Sequence, residues 1–106
     1  MPHYAARRTR LQETLNLNTS DAFLVTNIVN VGYLTGFTGS SGSLLVSKNR
    51  ELLLSDSRYA TQLTLECPDL ECDIRDASVT HQTQTINAIQ SSRVSNLRYE
   101  SESMTK

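Results

Sequence analysis

Apolar residues fall along this chain in short blocks separated by polar turns, and their period changes from block to block. Between about residues 5 and 16, Leu11 and Leu15 stand four apart, with Ala5 and Arg8 on neighbouring turns. That spacing predicts an amphipathic helix lying on the domain. Asp21 then precedes Ala22-Phe23-Leu24-Val25-Thr26, an almost unbroken apolar run that reads as a buried strand. Asn27 to Leu34 reads as a short helix or turn. Ser43-Leu44-Leu45-Val46-Ser47 and Glu51-Leu52-Leu53-Leu54-Ser55 flank the polar turn Lys48-Asn49-Arg50, which predicts a β-hairpin at the centre of a sheet.

Farther along, Ser55 or Asp56 can cap a helix in which Tyr59, Leu63 and Cys67 share one face, and Pro68 ends it. Glu71-Cys72-Asp73-Ile74-Arg75 alternates, with Cys72 and Ile74 expected inward and the charges outward. A helix is expected from about Thr80 to Gln90, anchored by Ile86 and Ile89, and Asn96 to Glu100 reads as a last strand. This order predicts an α/β fold, a mixed β-sheet flanked by helices, as one domain over residues 1–106. Ser101 to Lys106 reads as the start of a further element, so the chain is expected to continue in a longer protein.

Ten basic and eleven acidic residues nearly cancel, so no overall field favours nucleic acid or an anionic membrane as a partner. Arg7, Arg8 and Arg10 cluster, but Glu13 follows and no aromatic residue interleaves, so the run reads as a solvated helix face. The N-terminus lacks the apolar core of a signal peptide, and no apolar run approaches the ~20 residues of a membrane span. The expectation is a soluble, cytoplasmic domain. Cys67 and Cys72 fit neither a Cys-x-x-Cys motif nor zinc-ligand spacing and read as two buried free thiols in a reducing compartment. His3 and His81 lie far apart without carboxylates at ligand spacing, so no metal site is expected in this chain.

Two stretches depart from this ordinary picture. Gly36, Gly39 and Gly42, three of the four glycines, recur at three-residue intervals before the hairpin. Gly39-Ser40-Ser41-Gly42 lacks both the spacing of a nucleophile elbow and the lysine of a phosphate loop. Its successive N–H groups suit either an anion nest or a tight connection. In Asp56-Ser57-Arg58-Tyr59, Arg58 falls at the first turn of the expected helix, where the helix dipole disfavours positive charge. Arg58 serves a site, or Asp56 orients its guanidinium as scaffold; the residues leave both open.

Tyr33-Leu34-Thr35-Gly36-Phe37-Thr38-Gly39-Ser40 together with Asp56-Ser57-Arg58-Tyr59 resembles the N-terminal domain of the Xaa-Pro aminopeptidase, prolidase and creatinase family. The resemblance also takes in Arg7, Arg8, Leu11, the Asp21 to Thr26 strand, Asn30 through Gly42, Leu44-Leu45-Val46, Gln62 and Glu66, and fades to pattern after Asp76. It implies a ribonuclease-H-like fold that is not catalytic by itself. A separate pita-bread domain, absent from this chain, is implied to hold two divalent metal ions through two Asp, one His and two Glu. The implied activity is cleavage of the peptide bond before proline.

The same resemblance puts Arg58, Asn30, Phe37 and Gly39 at the rim of a substrate cleft, with no catalytic residue here. Gly36, Gly42, Asp56 and Tyr59 match as structural motif positions. It implies homo-oligomers, a proline-containing peptide as substrate, and a further helix beginning near Ser103. A non-catalytic module binding peptides or proteins, or a creatinase-type amidinohydrolase, are the other members this half could belong to.

Overall fold

The computed structural model describes residues 3–99. Helix α1 (Tyr4–Leu15) leads to strand β1 (Asp21–Val25), helix α2 (Ile28–Thr35) and the hairpin of β2 (Ser43–Ser47) and β3 (Glu51–Asp56). A single 3-10 turn, Ser57–Tyr59, runs into α3 (Ala60–Glu66), followed by β4 (Glu71–Arg75), α4 (His81–Ser91) and β5 (Asn96–Tyr99). The element order is the one the apolar blocks predict. The further helix expected near Ser103 lies outside the described residues.

The strands form one five-stranded sheet in the order β4-β3-β2-β1-β5. Strand β2 runs antiparallel to both β1 and β3, while β5 is parallel to β1 and β4 is parallel to β3. The three central strands are buried on both faces, which is why their sequences read as continuous apolar runs. Because side chains alternate across a strand, Phe23, Val25, Leu44, Val46 and Leu53 face one side. There they pack with Val31, Leu34 and Phe37 of the α2 region and Leu63 of α3. Ala22, Leu24, Leu45, Leu52 and Leu54 face the other side, covered by Ala88 and Ile89 of α4 with Val94 and Leu97. Each fully buried leucine contributes about 1.5–3 kcal/mol of transfer free energy to this core.

Polar caps place the helices. Asn27 Oδ1 accepts from the Val29 and Asn30 amides at the start of α2, and Thr80 Oγ1 accepts from Thr83 N at the start of α4. Helix α2 ends at Gly36, whose φ of 80° is left-handed and whose N–H returns to Gly32 O at 2.8 Å. The Tyr4 ring tip stands 2.7 Å from where a Cβ on Gly36 would be, so a larger residue there would also displace that ring.

Four expectations need correction. Arg8 is not solvated: it is 8% exposed, its Nε pairs with Glu51 at 2.8 Å, and its Nη1 donates to Leu34 O at 2.9 Å. That carbonyl lies in the last turn of α2, where carbonyls lack helical partners, so a cation from α1 takes the place of the missing donors. Arg7 is likewise engaged, lying over the Tyr33 ring. Ile74 is exposed: β4 is an edge strand, with no further strand on its outer side. Cys72 on the same strand is only half-buried. Ile86 is also exposed; Gln84 and Ala88 are the residues that α4 buries, one turn apart on its inner face.

Candidate functional site

The glycine loop and the Asp56 turn form one structure. After Gly36 the chain turns inward at Phe37, whose N–H donates to Thr35 Oγ1 at 3.1 Å and whose side chain is 2% exposed. Gly39 lies directly over that ring, leaving no room for a Cβ, and Gly42 borders its other edge. Gly39 and Gly42 therefore answer to one aromatic ring, while Gly36 answers to its left-handed φ and the ring of Tyr4. Tyr59 meets Phe37 edge-on, and its hydroxyl bonds with Ser40 Oγ at 2.6 Å while accepting from Ser40 N at 3.3 Å.

A second clasp binds the loop to α3. Glu66 accepts from Thr38 N at 2.9 Å and from Thr38 Oγ1 at 2.7 Å, and Gln62 Nε2 donates to Thr38 Oγ1 at 2.8 Å. The Thr38 amide, with the hydroxyl of Thr38 and the amide of Gln62 adding to it, holds the Glu66 carboxyl below its ordinary range. From the hairpin side, Ser55 Oγ donates to Ser41 O at 2.6 Å. The loop is thus a braced connection whose N–H groups at Thr38 and Ser40 already have protein acceptors.

Asp56 closes β3 with its carboxylate buried. Its Oδ1 accepts from Arg58 N at 3.1 Å and Arg58 Nε at 2.9 Å, and its Oδ2 accepts from Arg58 Nη2 at 2.8 Å. The Arg58 guanidinium is the main reason the Asp56 carboxyl is lowered to about 2, with the Arg58 amide adding to it and burial opposing it. Asp56 in turn raises the pKa of Arg58. Arg75 reaches the same carboxylate from β4, with Nη2 3.7 Å from Oδ2. The compensation for a cation at the head of α3 is therefore a bidentate carboxylate, and 68% of the Arg58 side chain remains open to solvent.

Of the four rim candidates, Arg58 presents an open charged side chain, braced by Asp56 and lying over the Tyr59 ring at 5.3 Å. Phe37 and Gly39 are enclosed, so they shape the loop from beneath rather than offering a surface. Asn30 sits half-buried in the first turns of α2. Gly42, Asp56 and Tyr59 take part in the bracing just described, and Gly36 ends α2 ahead of it. Sequence reasoning missed Arg75, which reads as an outward charge on an alternating strand, although its side chain is only 19% exposed. It also missed Gln84, whose Nε2 donates to Ser55 O and Asp73 O, each at 2.9 Å. Nothing in a polar helix marks that glutamine as buried.

Other chemistry is weakly furnished. Among the described residues, no group of three or more His, Cys, Asp or Glu could hold a metal ion. Ser43 Oγ lies 3.2 Å from His81 Nε2, but Ser43 is 2% exposed within β2, so the contact ties α4 to the sheet. Burial pushes the Cys67 thiol up to about 11, which makes it a poor nucleophile. Among the described residues no helix is long and apolar enough to cross a membrane.

The sequence profile of the Creatinase/Prolidase N-terminal domain matches residues 7–105. The chain belongs to this family. It is 32% identical over 85 residues to YqhT, an uncharacterized peptidase of Bacillus subtilis, covering 80% of this chain and 24% of that protein. The chain thus spans about a quarter of that relative's length. Among solved structures, the N-terminal domain of cytoplasmic peptidase PepQ from Mycobacterium tuberculosis is 28% identical, with a TM-score of 0.66, over 94% of this chain and 96% of that one. An X-Pro aminopeptidase from Thermotoga maritima is also 28% identical, with a TM-score of 0.67, over 93% of this chain but 28% of that one. The mixed sheet and its flanking helices are therefore the creatinase/prolidase N-terminal fold.

Proposed function

We propose that this chain is the non-catalytic N-terminal domain of a cytoplasmic metallopeptidase that cleaves peptide bonds preceding proline. The observation that carries this reading is the open Arg58 guanidinium, fixed in direction by buried Asp56 beside a loop braced at Phe37, Thr38 and Ser40. A guanidinium so oriented recognises a carboxylate or carbonyl group at little further entropic cost. The family membership and the X-Pro aminopeptidase among its structural relatives supply the reaction class.

In this reading a catalytic domain following residue 106 holds two divalent metal ions through two Asp, one His and two Glu. The residues described here do not fit such a pair, and no step of the reaction is assigned to them. Their part is to form one wall of the substrate cleft, with Arg58 fixing the substrate end remote from the metals. The same domain contributes to a homo-oligomer, whose assembly places that wall.

The test is to read the coding sequence beyond Lys106 for the five ligands, then to assay the whole protein on short Xaa-Pro peptides with Arg58→Ala beside it. Loss of a charge-assisted hydrogen bond corresponds to a rise in KM, or a fall in kcat/KM, of about 10- to 100-fold. A downstream domain without the ligands overturns the peptidase reading. Unchanged kinetics in Arg58→Ala overturns the role of Arg58.

A further inference from the structure

Strand β4 ends the sheet, and among the described residues no strand lies beyond it. The ladder fixes which of its backbone groups are spare. Ser47 N donates to Arg50 O at 2.7 Å where the hairpin closes, so by alternation Leu52 and Leu54 turn their backbone groups to β2. Leu53 and Ser55 then turn theirs to β4, where the parallel register meets them with Glu71, Asp73 and Arg75. Gln84 bears this out, because its Nε2 donates to Ser55 O and Asp73 O at 2.9 Å each. One nitrogen reaches both carbonyls only if both open into the gap between β3 and β4, since neighbouring strands lie about 4.8 Å apart. The N–H and C=O groups of Cys72 and Ile74 therefore point outward along the free edge.

Exposed edges are usually blunted by lysine, proline or free charge. Strand β4 holds neither Lys nor Pro, and its three charged side chains are drawn back over their own sheet. Glu71 accepts from Arg50 Nε at 2.9 Å and Nη2 at 2.7 Å, Asp73 lies on Gln84, and Arg75 is 3.7 Å from Asp56. What the edge presents instead is Ile74, 40% exposed. Beside it an open groove of about 210 Å³ is lined by Leu63, Cys67, Leu70 and Cys72. Spare backbone groups next to an exposed β-branched residue are a template for one more strand.

We infer that this edge pairs with the same edge of a second copy, β4 against β4 and antiparallel, with Ile74 on the two-fold axis. The inference rests on the homo-oligomer reading above and names a surface for it. Charge selects the axis. At Glu71, Asp73 or Arg75 an axis sets a charge opposite itself, and at Cys72 it sets Glu71 opposite Asp73 of the second copy. At Ile74 it sets Asp73 opposite Arg75 of the second copy and Ile74 opposite itself. The outward N–H and C=O of Ile74 are then exchanged with their counterparts, as a hydrogen-bonded antiparallel pair requires. The axis is perpendicular to the sheet, so the apolar grooves of both copies fall on the same face. A short pairing of this kind is a small interface, and its association is weak.

The experiment is sedimentation velocity of the 106-residue chain from about 10 μM to 1 mM, a range that brackets weak association. Amide hydrogen exchange at Cys72 and Ile74 is followed at both ends of that range. A domain of this size is tractable alone, since the PepQ N-terminal domain was solved as a chain of which this one covers 96%. A reversible dimer is expected, with the Ile74 amide exchanging more slowly as concentration rises. Ile74→Lys sets a cation against itself across the axis and is expected to weaken the dimer about tenfold or more. Ile74→Pro removes the outward donor and is expected to do the same without losing a bond inside the sheet. Leu65→Lys alters a residue of α3 that is 76% exposed, and is expected to leave association unchanged.

A chain that stays monomeric to the top of the range overturns the inference. So does a dimer that Ile74→Lys leaves intact, growth beyond a dimer, or Ile74 exchange that ignores concentration. If both Ile74 variants fail to fold, exchange in the unaltered chain still decides. Failure here is separable from failure of the reading it rests on. Self-association that survives Ile74→Lys, or a monomeric chain within an oligomeric whole protein, removes this edge and keeps the homo-oligomer. A monomeric whole protein removes the homo-oligomer itself. The peptidase reading is decided separately, by the downstream ligands and the Arg58→Ala kinetics.

Discussion

The ring of Tyr59 stands edge-on to the ring of Phe37, with centroids 5.4 Å apart and planes at 89°. One aromatic contact thus joins the turn after β3 to the loop after α2, and the Tyr59 hydroxyl extends it to Ser40 at 2.6 Å. Edge-to-face geometry is the favoured arrangement for such a pair, and the buried partner carries most of the stabilisation. Truncating Phe37 to Ala is expected to cost about 3–5 kcal/mol in urea unfolding. Tyr59→Phe keeps the ring contact, so it should leave global unfolding nearly unchanged while speeding amide hydrogen exchange at Ser40. Equal losses of stability in the two variants would contradict this division of labour.

Gly36 holds a position that no side chain can enter cheaply, with φ at 80° and the Tyr4 ring 2.7 Å from where a Cβ would stand. Gly36→Ala should lower stability by roughly 1 kcal/mol or more through the left-handed backbone alone. Pairing it with Tyr4→Ala should recover the steric part and leave the backbone part. A thermal melt in which Gly36→Ala matches the unaltered chain would show that the α2 terminus is not the constraint described.

Arg8 pairs with Glu51 and donates to Leu34 O from a position 8% exposed. Removing the cation strands both a half-buried carboxylate and the end of α2, so Arg8→Ala is expected to destabilise by on the order of 3 kcal/mol. Arg10→Ala, an exposed neighbour on the same helix, should stay within about 0.5 kcal/mol. Urea denaturation of the two variants side by side checks the contrast, and similar midpoints would return the whole basic run to a solvated face.

Asp56 makes stability depend on acid. Its folded pKa, about 2, lies below the ordinary 3.8, so its contribution is complete above the ordinary value and is lost as pH falls through about 2. Other acids titrate nearby, so the informative quantity is the difference between the chain and Asp56→Asn. That difference is expected to be constant above the ordinary value and to shrink from there down to about 2. Parallel stability curves for the two proteins across this interval would remove Asp56 as the cause.

Much of the scaffold was legible because it depends on local pattern. Continuous apolar runs marked β1, β2 and β3 as buried on both faces, and the short polar turn marked the hairpin. The edges were harder. Ile74 and Ile86 are apolar residues that pattern assigns inward, yet exposure depends on how far a neighbouring element extends, which no local period records. The candidate site divides in the same way. Paired motifs pointed to Arg58 and its glycine loop, and Asp56 could be seen as its partner by proximity in sequence.

What the chain alone determined, then, was where its strands and helices lie and which arginine lies against an unfavourable dipole. These follow from side-chain period, backbone sterics and neighbours within a few residues. Tertiary structure decided which groups from distant elements meet. It placed Arg75 of β4 beside Asp56 of β3, Glu66 of α3 on the Thr38 amide, and Arg8 of α1 against Glu51 and the end of α2. Those meetings depend on strand order and helix layering, and the charge and satisfaction of each group are fixed only once a distant partner arrives.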